Sequence, residues 1–193
     1  MPDDSEFARL VSLACHDLRT PLATVHGFAT TLTRGAGLEP PADRYVEMID
    51  AASAQIAELI DELSLAARIE SGRYDPTSRE GETLELARAA AERLGGERVH
   101  VAGSGTTLET DTDAVERGLA ALFQAALRHG GLERVEVEVD GVEIRLSPVT
   151  SSSAPVVLGD DLRDLGAAVA ARLVRRLGGS VSVDGETVTI RLA

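Results

Sequence analysis

The chain has 193 residues, of which 44% are hydrophobic, and it carries a formal net charge of −13. This length suffices for one ordinary domain or two small ones, and the negative charge disfavours nucleic acid and anionic membranes as partners. No apolar run approaches the roughly 18 residues of a membrane span, and the acidic N-terminus does not resemble a signal peptide. With a single cysteine, Cys15, we expect a cytoplasmic protein without an internal disulfide.

Two long amphipathic helices are predicted in the first part of the chain. Apolar residues recur at three- and four-residue spacing over residues 5–34 and again over residues 42–70. The intervening GAGLEPP, residues 35–41, has the glycines and prolines that end one helix and start the next. Each helix carries a heptad stripe, and two such hairpins would close a four-helix bundle, so we expect a symmetric homodimer. The alternative is a hairpin that packs only on the second half of its own chain.

A polar, turn-rich stretch follows the second helix and predicts a linker at residues 74–81. It separates a hairpin domain, residues 1–73, from a second domain, residues 82–193. The pattern of the second domain predicts helices at 82–94, 113–128 and 162–177, and strands at 98–103, 106–110, 134–140, 142–147, 180–183 and 187–192. Helices on one face of this mixed sheet form an α/β sandwich, and the fold class of the whole chain is α+β. The glycine-rich residues 103–105 are assigned to a turn between two strands rather than to a phosphate-binding loop.

The stretch ACHDLRTPLA, residues 14–23, places a histidine, a carboxylate and a hydroxyl group on the first helix. With Ala14 and Leu18 taken as the middle of the buried stripe, His16 points about 180° away from that stripe. Thr20 lies within about 40° of His16 on the same outward face. The sequence therefore predicts an exposed histidine with a hydroxyl group one turn further on.

These residue types suit nucleophilic chemistry at the imidazole. A neutral imidazole is a good nucleophile at physiological pH, and the neighbouring Asp17 can orient it and take the other ring proton as a bond forms. Pro21 has no N–H to donate to the carbonyl oxygen of Asp17, so we expect the helix to bend or loosen just after His16. The alternative is a surface histidine next to unrelated polar residues.

The run HDLRTPL, residues 16–22, resembles the phosphoacceptor box of sensor histidine kinases. The second domain has the order of elements of the ATP-binding domain in those kinases, so the resemblance extends over nearly the whole chain and implies a histidine-kinase ATPase-like fold there. It implies that His16 is the phosphorylated residue and that Asp17 is the base that activates it. It further implies that Thr20 aligns water for hydrolysis of a partner's phosphoryl-aspartate, and that a receiver domain docks at Arg19.

The nucleotide-binding residues of that family are missing from this sequence. The family uses two asparagines of its central helix to help hold Mg²⁺ and phosphates, whereas this chain has no asparagine and places Ala121 and Ala125 there. An alanine methyl offers no ligand to a hard cation. The family also uses an aspartate after a β-hairpin to bind adenine. Here the second strand of the predicted β-hairpin, residues 142–147, runs into Pro148 and that aspartate is absent. Asp164 replaces a glycine that contacts phosphate in the family. We therefore expect a degenerate ATP-binding domain with no nucleotide cofactor.

The remaining candidate sites are interpreted as structural. The segment at residues 150–159 stands in place of the family's long lid and is too short for a flap. Arg128 and His129 could contact a phosphate, but they are interpreted as the polar end of a helix. His26 and His100 lack the companions that a metal site needs, so we expect no bound metal.

We predict a histidine phosphotransferase of a two-component phosphorelay, without ATP-dependent autokinase activity, that moves a phosphoryl group between receiver-domain aspartates through His16. Its expected partners are response-regulator receiver domains, with a hybrid histidine kinase as a further candidate, and the receivers would bring the Mg²⁺. One alternative is a pseudokinase that acts as a binding module, with His16 as a relic. The others are a response-regulator phosphatase that uses Thr20 and an atypical active sensor histidine kinase.

Overall fold

The structure, a computed structural model, describes residues 4–34 and 40–193. The predicted break at residues 35–41 therefore lies largely outside the described residues. The chain divides into two compact units, Met1–Tyr74 and Asp75–Ala193. The boundary between them falls inside the segment that the sequence predicts as a linker.

The first unit is a helical hairpin of α1 (Asp4–Arg34) and α2 (Ala42–Glu70), as predicted. Each of the two helices buries a series of side chains that are spaced seven or fourteen residues apart. We call these side chains the internal seam: Ala8, Cys15 and Ala29 in α1, and Ser53, Ile60 and Ala67 in α2. A seven-residue repeat returns the same face of a helix to its partner every second turn. Most members of the internal seam have small side chains, so the two helices can approach closely.

A second apolar stripe of the hairpin faces solvent. Eleven of the thirteen large hydrophobic side chains that are exposed among the described residues belong to α1 and α2. Six of them form two further heptad series, which we call the exposed stripe: Leu18, Val25 and Leu32 in α1, and Ile49, Ile56 and Leu63 in α2. A single hairpin therefore covers one apolar face of each helix and leaves another uncovered.

The second unit combines helices with a mixed sheet. Its elements are, in chain order, β1 (Arg79–Glu82), α3 (Thr83–Glu92), β2 (Val99–Gly105), β3 (Thr107–Thr110), α4 (Thr112–Gly130), β4 (Val135–Gly141), β5 (Glu143–Ser147), α5 (Ala154–Val157), α6 (Leu165–Arg176), β6 (Ser180–Asp184) and β7 (Thr187–Arg191). Five strands form a sheet in the order β2-β4-β5-β7-β6, in which β2 and β4 are parallel and the other neighbours are antiparallel. The strands β1 and β3 form a separate antiparallel pair.

Helices cover one face of the five-stranded sheet. In β4, Val135, Val137 and Val139 are buried, whereas Glu136 and Glu138 between them are exposed. This alternation places one face of the strand in the core and leaves the other in water. The core joins these valines to buried side chains of α3, α4 and α6. The predicted fold, a helical hairpin followed by an α/β sandwich, is confirmed.

The helix α5 was not predicted, α6 begins three residues later than expected, and two further stretches differ from the prediction. Residues 79–81, assigned to the linker, belong to β1, whose REGE sequence lacks the apolar alternation that predicts a strand. Residues 103–105, assigned to a turn, instead complete β2. A Cβ atom on Gly103 would overlap the backbone of Val139 in β4, and Gly103 has a φ of +115°, so this position requires glycine.

Candidate functional site

The side chains of His16, Asp17 and Thr20 all lie on the exposed surface of α1. Among the described residues, none of these three side chains has a hydrogen-bond or ion-pair partner. At about 100° per residue, Thr20 falls between His16 and Asp17 when α1 is viewed along its axis. The structure therefore places the predicted imidazole, carboxylate and hydroxyl group next to one another on an accessible surface.

The face of α1 that packs inside the hairpin is centred on Cys15. The sequence analysis took Ala14 and Leu18 as the middle of the buried stripe, and within one hairpin Leu18 is exposed. Cys15 is 1% exposed and Leu18 is 53% exposed, while the side chain of Ala14 lies outside the described part of the structure. Leu18 belongs to the exposed stripe, which lies about 60° around α1 from Cys15. His16 is about 100° from Cys15 and about 160° from Leu18, so it faces away from both apolar series.

The helix α1 runs through Pro21 as a single element. Because Pro21 has no N–H, the carbonyl oxygen of Asp17 lacks the donor that an ordinary helix would supply. One turn further on, the Thr24 hydroxyl donates to the carbonyl oxygen of Thr20 at 3.1 Å. The proline therefore exposes one backbone acceptor beside His16 without ending the helix.

Arg19 forms an ion pair within the hairpin. Its Nε and Nη2 both donate to Oδ1 of Asp61 in α2, at 3.1 and 2.9 Å. The resemblance assigns Arg19 to receiver docking, and the structure adds a partner that local sequence patterns cannot reveal, because Asp61 lies 42 residues away. The exposed fractions of the two side chains are 44% and 61%, so water screens the pair and its net contribution to stability is about 0–1 kcal/mol.

A second polar contact between the two helices involves His26. Its Nδ1 lies 3.0 Å from Oδ1 of Asp50, and the Thr30 hydroxyl donates to the same oxygen at 2.9 Å. The sequence interpretation gave His26 no companions, and the missing signal was again a carboxylate on the other helix. His26 is therefore engaged in bridging α1 and α2.

In the second unit, the two alanines at the expected Mg²⁺-ligand positions lie on α4. Ala125 is fully buried and Ala121 is half-buried. A Cβ atom on the neighbouring Gly118 would meet Ala170 and Leu173 of α6 at ordinary van der Waals distance. This face of α4 is therefore packed on another helix and presents methyl groups, which cannot coordinate a cation.

Asp164 is held by groups from two helices. Its Oδ2 lies 3.0 Å from Nε2 of His129 and 3.5 Å from Nη1 of Arg128, both at the C-terminal end of α4. Its Oδ1 accepts from the backbone N–H of Ala167 and caps α6. The side chains of Asp164 and His129 are only 11% and 17% exposed. The two residues that the sequence offered as phosphate contacts therefore already bind an internal carboxylate.

The segment between β5 and α6 packs against the rest of the second unit. Val149 is buried and its N–H donates to the carbonyl oxygen of Glu186 at 2.7 Å. In α5 both Val156 and Val157 are fully buried, and the Ser152 hydroxyl donates to the carbonyl oxygen of His129 at 2.9 Å. Buried side chains and hydrogen bonds therefore hold this segment against the second unit.

The polar face of the sheet contains a shallow cavity of about 380 Å³, whose lining includes Glu136, Glu138 and Arg145. Nη2 of Arg145 donates to Oε2 of Glu143 at 2.8 Å. This hydrogen bond, with smaller contributions from the neighbouring carboxylates, raises the pKa of Arg145 above its usual value. The guanidinium therefore remains charged at any physiological pH and is already paired.

Over residues 4–34 and 40–193, no group of three or more histidine, cysteine, aspartate or glutamate side chains is arranged to hold a metal ion. In the same residues, no helix combines the length and the apolar character needed to cross a membrane.

Comparison with known proteins identifies the hairpin. Residues 8–72 match the family His Kinase A (phospho-acceptor) domain. The probable sensor histidine kinase TcrY of Mycobacterium tuberculosis (strain ATCC 25618 / H37Rv) is 34% identical over 96 residues, which are 49% of this chain and 19% of that protein. The chain thus spans about a fifth of the length of this curated relative.

Among the solved structures that resemble this chain, two align with more than nine tenths of it. Full-length ShkA in complex with AMPPNP aligns with a TM-score of 0.68 and 19% identity, over 94% of this chain and 44% of ShkA. The histidine kinase AdeS of Acinetobacter baumannii aligns with a TM-score of 0.56 and 17% identity, over 92% of this chain and 98% of that structure. At such identities the likeness concerns the fold alone.

Proposed function

The chain has a histidine kinase-like core that includes a phosphoacceptor domain, and we propose that it acts as a histidine phosphotransferase in a two-component phosphorelay. It takes a phosphoryl group from the aspartate of one receiver domain onto His16 and passes it to a second receiver. The family implies response-regulator partners, and these receivers supply the Mg²⁺. The observation that carries the proposal is the exposed imidazole of His16, with Asp17 and Thr20 beside it and no partner among the described side chains.

The chemistry requires little from the chain beyond an accessible imidazole. A ring nitrogen of His16 attacks the phosphorus of the receiver's phosphoryl-aspartate, so an N–P bond forms as the P–O bond breaks and the aspartate leaves as a carboxylate. Asp17 orients the ring and stabilises the proton on its other nitrogen. The aspartate of the second receiver then attacks the phosphohistidine and releases the neutral imidazole. No nucleotide is consumed in either step.

The contacts of the second unit support transfer without ATP. A nucleotide needs cationic groups and helix N-termini that are free to meet phosphate oxygens. Here Arg128, His129 and the N-terminal end of α6 are engaged with Asp164, whose negative charge would also repel a phosphate. With Ala121 and Ala125 in place of Mg²⁺ ligands, we propose that this unit no longer serves autophosphorylation.

The exposed stripe supports a homodimer. A monomeric hairpin would leave two heptad series in water, whereas a second copy would cover both in a four-helix bundle. His16 faces away from both apolar series, so dimerisation would leave it accessible to a receiver.

The position of Thr20 favours a second activity of the same surface. Its exposed hydroxyl falls between His16 and Asp17 around the axis of α1, where it could orient a water toward the phosphoryl group of a docked receiver. The chain would then also act as a response-regulator phosphatase. Thr20→Ala should slow the loss of receiver phosphate to water while sparing transfer onto His16.

The decisive experiment mixes the purified protein with receivers that have been charged with acetyl phosphate. We expect an acid-labile phosphohistidine on the unmodified protein and none on His16→Ala. The matched control is His100→Ala, which removes an exposed histidine from β2 and should leave labelling unchanged. Equal labelling of His16→Ala would reject His16 as the acceptor, and absence of label on every variant would favour the binding-module alternative.

The use of ATP is tested separately. Calorimetry with Mg-ATP should give no binding tighter than millimolar, and labelled ATP should leave no label on the isolated protein. Micromolar binding, or label on His16 without a receiver, would restore an active sensor kinase as the function.

A further inference from the structure

One ion pair and one polar contact tie α1 to α2 on the side of the hairpin that carries His16. Arg19 pairs with Asp61 at 2.9 Å, and His26 approaches Asp50 at 3.0 Å. Arg19 and His26 are seven residues apart, which puts them within about 20° on α1. Asp61 and Asp50 are eleven residues apart, which puts them within about 20° on α2. The two pairs therefore form one polar ladder along a single edge of the hairpin.

The internal seam alone is a weak determinant of how α1 is rotated against α2. The α1 members of the seam are Ala8, Cys15 and Ala29, whose short side chains fill no deep pocket. Small residues allow close approach of two helices but tolerate rotation and sliding, whereas paired polar groups favour one register. The polar ladder therefore supplies rotational specificity that the seam lacks.

We propose that Asp61 is a positioning residue for His16, acting through Arg19. Arg19 is three residues after His16, about 60° around the helix and about 4.5 Å along its axis, so the rotation that fixes Arg19 also fixes the direction of the imidazole. His26 and Asp50 hold the same rotation two turns further along α1. This inference rests on the proposed function, because it concerns the histidine that accepts the phosphoryl group.

The proposal gives Arg19 a role different from direct receiver docking. If Arg19 contacts the receiver, its charge must stay on α1. If Arg19 acts through Asp61, the two charges can be exchanged between the helices and the ion pair still forms. The two roles therefore make opposite predictions for a charge swap.

The experiment compares Arg19→Asp, Asp61→Arg and the double variant with both changes. The initial rate of His16 phosphorylation is measured against the concentration of acetyl-phosphate-charged receiver. Each single variant should lower the rate at saturating receiver by about fivefold, the scale of one exposed ion pair. The double variant should return to within about twofold of the unmodified protein. Glu58→Arg makes the same charge change one turn from Asp61, at an exposed side chain, and should leave the rate unchanged.

Three results would overturn the positioning role. In the first, the double variant stays as slow as Arg19→Asp, and it needs a higher receiver concentration for half-saturation than the unmodified protein does. This result would assign Arg19 to receiver docking. The single variants could match the unmodified protein, or Glu58→Arg could slow transfer as much as Asp61→Arg. Urea unfolding shows whether each variant folds. If Asp61→Arg does not fold, Asp61→Asn is used as the single variant at this position. Absence of label on the unmodified protein is a separate failure, that of the proposed function itself.

Discussion

The candidate site of the hairpin and the Asp164 cluster of the second unit differ in the exposure and pairing of their polar side chains. On the hairpin, His16, Asp17 and Thr20 are exposed and have no partner among the described side chains. In the second unit, Asp164 and His129 are paired with each other and largely buried. A group that must react with another molecule has to stay accessible, whereas a group that is buried must be satisfied internally. The candidate site on the hairpin is therefore open to another molecule, whereas the Asp164 cluster of the second unit is satisfied internally.

The apolar side chains show the same contrast. Eleven exposed large hydrophobic side chains lie on the hairpin helices, whereas only Leu162 and Val183 are exposed among those of the second unit. The second unit buries its apolar surface in its own core. The hairpin leaves a heptad-spaced apolar stripe uncovered, and this is the surface that we propose a second copy covers.

The largest effect is expected at the exposed stripe. Ile56→Glu should change the mass measured by solution scattering from twice that of the chain to that of one chain. A dimer of this variant would bury two carboxylates without partners. Each carboxylate would make the free energy of dimerisation less favourable by about 3 kcal/mol or more. The matched control is Leu162→Glu, which alters an exposed leucine of the second unit and should leave the mass unchanged. If the unmodified protein is a monomer at micromolar concentration, the proposed homodimer is wrong.

The next largest effect is expected at Asp17. Asp17→Ala should slow transfer from a phosphorylated receiver to His16 by about 10²-fold, the usual scale for loss of a positioned base. The fold should be unaffected because Asp17 is exposed. Rates are measured at saturating receiver, with Glu58→Ala as the control for removal of an exposed carboxylate. A rate within a few fold of the unmodified protein would show that His16 reacts without help from its neighbour.

In the second unit, Ala125→Asn tests whether a missing ligand or a closed interior excludes nucleotide. Ala125 is fully buried, so an asparagine there must force its amide into the core, and we expect a loss of about 2 kcal/mol in the free energy of unfolding. Ala121→Asn, at a half-buried position, should cost less. Urea unfolding measures both losses, and calorimetry should detect no gain of Mg-ATP binding. A gain in Mg-ATP binding would mean that the unit lacks only a side chain that coordinates Mg²⁺.

The smallest effect is expected at Asp164. Asp164→Asn keeps a side chain that can cap α6 but removes the charge that faces His129 and Arg128, so stability should fall by about 1 kcal/mol. Asp161→Asn is the matched control, because Asp161 pairs with Arg163 at a more exposed position, and it should cost less than about 0.5 kcal/mol. Equal losses, measured by urea unfolding, would show that the partly buried pair is no stronger than an exposed one.

The parts of the fold that follow from local periodicity were predictable. The second helix was predicted at residues 42–70 and α2 spans Ala42–Glu70. The turn predicted at Asp140-Gly141 joins β4 to β5, where Gly141 has a positive φ. By contrast, β1 was missed because its polar sequence has no alternation, and it becomes a strand only by pairing with β3.

The parts of the candidate site that depend on distant partners were not predictable. Exposure of His16 followed from helix geometry, but the pairing of Arg19 with Asp61 joins residues 42 positions apart. His129 and Asp164 are 35 positions apart. A chain with 19 basic and 32 acidic residues offers many possible pairs, and only the tertiary fold selects among them.

The buried Cys15 gives the protein an intrinsic reporter of hairpin opening. It is the chain's single thiol, and it lies in the internal seam, where an alkylating reagent reaches it only after α1 separates from α2. When closing is fast, the alkylation rate is the rate of a free thiol multiplied by the fraction of open hairpin. Thiol alkylation can therefore be followed on the unmodified chain, with and without a bound receiver, to measure how strongly the receiver tightens the two helices.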